Sequence, residues 1–105
     1  MDIELNVIER LALLQLLPNE GNLLTLRIVR QLREDLSFDE AEHAALQFRQ
    51  EGDQLRWNVA ANEDKAVPFG AKAMQLIQDK LGKMNDEGKL REEHLSLCDK
   101  FSVGE

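Results

Sequence analysis

A chain of 105 residues, 43% hydrophobic and 31% charged, has the composition of one soluble globular domain over 1–105, not of a disordered or fibrous protein. Its net charge of −7 and pI near 4.8 oppose generic attraction to phosphate backbones and anionic lipid. Cys98 is the single cysteine, which excludes an intrachain disulfide, and no apolar run approaches the ~20 residues that span a bilayer.

The start MDIELNVIER lacks the basic stretch of a secretory signal, so a cytoplasmic protein with no membrane segment is expected. Charge is uneven along the chain. Residues 1–57 hold eleven acids against six bases, all arginine, and the remainder nine against seven.

Residues 3–17, IELNVIERLALLQLL, place Leu5, Ile8, Leu11, Ala12 and Leu16 near a helical period. Leu13, Leu14 and Leu17 widen that stripe, so one central helix is expected, ended by Pro18 and a PNEGN turn. A second helix follows over Leu23–Leu36, with Leu24, Ile28, Val29, Leu32 and Leu36 on one face and Arg27, Arg30 and Arg33 on another. Ser37 with Glu40 has the spacing of a capping box for a short third helix over 38–46.

From Leu46 the period becomes two. Leu46 and Phe48 alternate with Gln47 and Arg49, and Leu55, Trp57 and Val59 alternate with Arg56 and Asn58. Between them Gly52 supplies the positive φ of a hairpin turn. ANEDKAVP reads as a polar connector. A fourth helix over 69–84 is expected to bury Met74, Ile77, Leu81 and Met84 and to end at Gly88. A fifth, over 91–101, docks through Leu90, Leu97 and Phe101.

The sum is an α+β chain, mainly helical, in the order helix-helix-helix-β-hairpin-helix-helix. It is a winged-helix-like core with an appended C-terminal helical pair, an analogy of element order that does not fix function. The expected core is Leu5, Ile8, Leu11, Leu16, Ile28, Leu32, Trp57, Ile77 and Leu81.

A recognition helix needs Arg, Lys, Asn or Gln at base edges. The third helix instead offers Asp39, Glu40 and Glu42, which a phosphate backbone repels. These three acids form a face suited to a basic site on a protein partner. Arg27, Arg30 and Arg33, extended by Arg49 and Arg56 on the outward side of the hairpin, are the alternative: a basic row for nucleic acid or an acidic partner. The plainer account of that row is a solvated face neutralised by Glu34, Asp35 and the acids of helix three.

One tryptophan and no tyrosine do not make a base-stacking platform. Two distant histidines and one cysteine do not make a zinc site, and a calcium loop around Gly88 would have Lys83 and His94 at its end positions. With no glycine-rich phosphate loop and no nucleophile motif, neither an enzyme nor a metal or cofactor is expected.

The run ERLALLQLLPNEGNLLTLRIVRQLREDLSF, the hairpin GDQLRW and the ending EEHLSLCDKF resemble a set of short, functionally unassigned proteins encoded by phages and prophages. The resemblance covers nearly the whole chain and carries over no activity and no functional residues. It implies a small accessory protein made inside an infected bacterium. Two readings result: stoichiometric protein–protein binding in host-factor or defence modulation or in assembly, or a nucleic-acid regulator built on the arginine row. A homodimer fits either reading, because helix one has more apolar surface than one small domain covers.

Overall fold

The first helix begins at Asn6, and everything before it is extended. In the computed structural model, which describes residues 1–61 and 63–103, the Asn6 side chain accepts the Glu9 N–H at 2.8 Å. Glu9 Oε1 in turn accepts the Asn6 N–H at 2.9 Å, closing a capping box. Ahead of it Ile3 and Leu5 are buried while Asp2 and Glu4 are exposed, the period of a strand. The single helix expected over 3–17 is therefore two elements, β1 (Asp2–Leu5) and α1 (Val7–Leu16).

The expected connector contains the partner of β1. Strand β4 (Lys65–Pro68) pairs antiparallel with it, Ile3 opposite Val67, and the Phe69 N–H donates to the Met1 carbonyl at 2.7 Å. Asn62 of that connector lies outside the described residues.

Helix α2 (Leu23–Leu36) has the expected bounds and is capped by Asn22, whose side chain accepts the Thr25 N–H at 2.9 Å. It buries Val29, Leu32 and Leu36 but leaves Leu24 exposed. Helix α3 (Glu40–Leu46) starts two residues later than the Ser37–Glu40 spacing suggests. Asp39 accepts the Glu42 N–H at 2.8 Å and Glu42 accepts the Asp39 N–H at 3.1 Å, so the box is Asp39–Glu42. Ser37 closes α2 instead, its N–H donating to the Arg33 carbonyl.

The hairpin is present but short: β2 (Arg49–Glu51) and β3 (Gln54–Arg56), turned by Gly52 at φ 61°. Leu46 ends α3 rather than opening a strand, and Val59 starts a 3-10 turn, Val59–Ala61. Helix α4 (Ala71–Asp86) ends near Gly88 at φ 67°, and α5 (Leu95–Lys100) follows a 3-10 turn at Glu92–His94. The α+β class and the helix-helix-helix-hairpin-helix-helix order stand, with the β1–β4 pair added.

One contiguous core joins β1, α1, α2, β4, α4 and α5, with Phe69 and Phe101 edge to face at 5.1 Å. Leu5, Leu16, Leu32, Ile77 and Leu81 are buried as expected. Leu11, Ile28 and Trp57 are half-buried, and Ile8 is 47% exposed because Val7, Glu9 and Arg10 take the inward positions of that turn. Leu81→Ala should therefore cost roughly 2–5 kcal/mol in chemical denaturation. Ile8→Ala should stay within about 1 kcal/mol, and the opposite ranking would contradict this core.

Candidate functional site

The charged groups nearest the core come from α1, where sequence reading singled out neither. Arg10 is fully buried, and its guanidinium reaches the junction between α2 and α3. Nε donates to the Leu36 carbonyl at 3.1 Å and Nη2 to the Ser37 carbonyl at 2.6 Å. Nη1 donates to Glu42 Oε2, and Nη2 also reaches Glu42 Oε1 at 3.2 Å, a forked pair. The Phe38 ring lies 3.9 Å from the guanidinium carbon and completes the enclosure. Arg10, with help from the Asp39 N–H, holds the Glu42 carboxyl below the usual carboxylate range against the opposing effect of its burial.

Glu9, 1% exposed and next to Arg10 in α1, makes a second clamp. Burial alone would raise its pKa, but Lys100, the Asn6 N–H and Ser96 together hold it low. Lys100 Nζ donates to Glu9 Oε1 at 2.8 Å and to the Glu4 carbonyl at 2.7 Å, tying α5 to β1 and α1. A charged Glu-Arg pair inside an apolar helix, ERLALL, was the available signal.

The acidic face predicted on α3 divides into structural and free carboxylates. Asp39 is the helix cap and Glu42 serves both the cap and Arg10. Glu40 is exposed on the first turn. Beside them a cleft of about 220 Å³ opens between α3 and the 3-10 turn. Its apolar part is Val7, Ala41, Ala45, Leu46 and Ala61, and its acids are Asp39, Glu42 and Glu63.

The arginine row is carried by two elements, α2 and the hairpin. Arg27, Arg30 and Arg33 are exposed on α2, which packs against α1, α4 and β4, and Arg33 reaches Asn19 Oδ1 at 3.1 Å. Arg49 and Arg56 face each other across the hairpin, where Arg56 pairs with Glu51 at 2.8 Å. The other face of the hairpin is anchored by aromatic contacts: Phe48 lies 5.1 Å from Phe38, 5.6 Å from His43 and 6.0 Å from Trp57. Trp57 thus belongs to a packed aromatic cluster.

A second concavity, about 400 Å³, runs between α2 and the start of α4 and is mainly apolar. Among the described residues, no group of three or more His, Cys, Asp or Glu is placed to hold a metal ion, and no helix is long and apolar enough to cross a membrane. Burial and Asp99 push the Cys98 thiol up, away from nucleophilic chemistry.

Glu9 and Glu42 both carry folded pKa values below their unfolded ones. Their contribution to stability is complete above the unfolded value near 4.3 and is lost as pH falls through the lowered folded values. Thermal melts between pH 7 and pH 3 should show Tm falling below about pH 4.3, with a smaller acid-dependent fall in Glu9→Gln. Equal pH dependence in the two proteins would contradict the clamp.

Comparisons with known protein families, with curated proteins and with solved structures find no match.

Proposed function

We propose that this chain is a non-catalytic binding module that holds a basic segment of a protein partner, one to one, at the cleft beside α3. The setting belongs to the same proposal: the cytoplasm of a phage-infected bacterium, in host-factor or defence modulation or in assembly. The observation that supports it is the makeup of the cleft. Ala41, Ala45 and Ala61 give a small apolar floor, Glu63 stands at its side, and Glu40 is exposed on the adjoining first turn of α3. A lysine or arginine lays its aliphatic stem on such a floor and presents its cationic head to the carboxylates. The chain's net charge of −7 speeds the approach of a basic surface and makes it salt-sensitive.

The nucleic-acid reading has one feature in its favour, the Arg49–Arg56 pair across the outer face of the hairpin. One titration separates the two. Fluorescence anisotropy of a labelled arginine- and lysine-rich peptide, at about 50 mM salt, should show saturable one-to-one binding that weakens as salt rises. Labelled duplex DNA should show none. Glu40→Gln with Glu63→Lys should weaken the peptide by about tenfold or more with the fold kept, as circular dichroism checks, because neither side chain caps a helix or pairs with Arg10. Peptide binding unaffected by that double change would sink the cleft. DNA binding lost on Arg49→Ala and Arg56→Ala would replace it with the second reading.

A further inference from the structure

The two walls of the cleft beside α3 are separate stretches of chain, and the hairpin is what joins them. One wall is α3 itself, through Ala41, Ala45 and Leu46, and the other is the stretch that carries Ala61 and Glu63. The chain leaves the first wall at Leu46, runs out through β2 and β3, and returns at Asn58 to begin the second. Its exit and its return are both held by hydrogen bonds. At the exit Gln47 stands at φ 51° and ψ 58°, the left-handed turn that ends a helix, and its N–H donates to the His43 carbonyl at 2.9 Å. At the return the Asn58 N–H donates to the Leu46 carbonyl at 2.7 Å, filling an acceptor that the helix end leaves without a helical donor. The contacts of Phe48 with Phe38, His43 and Trp57 hold the same base against α3.

Asn58 then builds the far wall. Its side-chain Oδ1 accepts the Ala60 N–H at 3.2 Å and its carbonyl accepts the Ala61 N–H at 3.0 Å. Those two bonds wind the chain into the 3-10 turn Val59–Ala61, which packs on α3. From this arrangement we infer that the base of the hairpin is the hinge of the cleft and that Asn58 is its positioning residue. Asn58 lies outside the lining and acts through the residues that follow it, setting where Ala61 and Glu63 stand relative to α3. The inference rests on the cleft reading above and adds the residue that regulates how firmly the cleft grips a cationic side chain. Arg10 fixes one wall from inside the fold, and Asn58 fixes the other from its surface.

Three variants test it: Asn58→Ala, Asn58→Ser, which keeps a capping oxygen, and Asn58→Ala combined with Glu63→Lys. All three should fold, as circular dichroism checks, because Asn58 is exposed and its backbone bond to Leu46 survives each change. In the full chain without ligand, nuclear Overhauser contacts between the methyls of Val59–Ala61 and those of Ala45 and Leu46 should weaken in Asn58→Ala and persist in Asn58→Ser. With the labelled arginine- and lysine-rich peptide, Asn58→Ala should weaken binding about fivefold and Asn58→Ser should restore it. On top of Glu63→Lys, Asn58→Ala should add no further loss, since both changes act on the same wall. Methyl contacts unchanged in Asn58→Ala would overturn the hinge, and so would losses that add in the combined variant. The methyl measurement uses no ligand, so a peptide that fails to bind the unaltered chain overturns the binding reading and leaves the hinge to be decided by those contacts.

Discussion

A guanidinium with no solvent exposure is the constraint around which the middle of this fold is arranged. Stripping Arg10 of water is costly unless its donors all find partners. The chain supplies them from three successive places: the last carbonyl of α2, the carbonyl of Ser37 and the forked carboxylate of Glu42. Those groups need Arg10 in return, because the carbonyls sit where α2 stops and have no next helical turn to donate to them. Helix α3 is seven residues long, too short to be stable on its own, so its position depends on anchors. Arg10 is the polar anchor and buried Leu46 the apolar one.

This explains how the carboxylates of α3 divide their labour. Glu42 is neutralised by Arg10 and Asp39 caps the helix, so the side chains that look most alike in sequence differ in what they can offer a partner. The exposed Glu40 and the cleft-lining Glu63, contributed by the segment after the 3-10 turn, are left for recognition. The Phe38–Phe48–Trp57 contacts then seat the hairpin against the same junction. Rigidity at the cleft therefore originates in α1, a helix that contributes only Val7 to its lining.

Much of the framework is legible in the residues themselves. Helix α2 has its Asn22 cap and a broad apolar stripe in register, and Gly52 and Gly88 mark the turns where positive φ is required. The strands were harder to see, for a physical reason. Ile3 and Leu5 fit both a helical and an alternating period over so short a run, and β4 becomes a strand only through pairing with residues about sixty positions earlier. The Asn6–Glu9 box that settles the boundary was present in the sequence, but the leucines beyond it masked it. Arg10 and Glu9 passed as ordinary helix charges because burial depends on what covers a side chain, which local spacing does not encode. The exposed leucines of α2 are the reverse case: apolar spacing implied burial, and the neighbouring helix leaves them uncovered.

The most direct test of this account is native-state hydrogen exchange in Arg10→Lys, which keeps the charge and removes the planar fork. The account predicts that amides of α3 and of the Ser37–Asp39 turn lose most of their protection, while those pairing β1 with β4 keep theirs. Protection of α3 equal to that of the unaltered protein would contradict the claim that Arg10 holds this helix, and with it the cleft, in place.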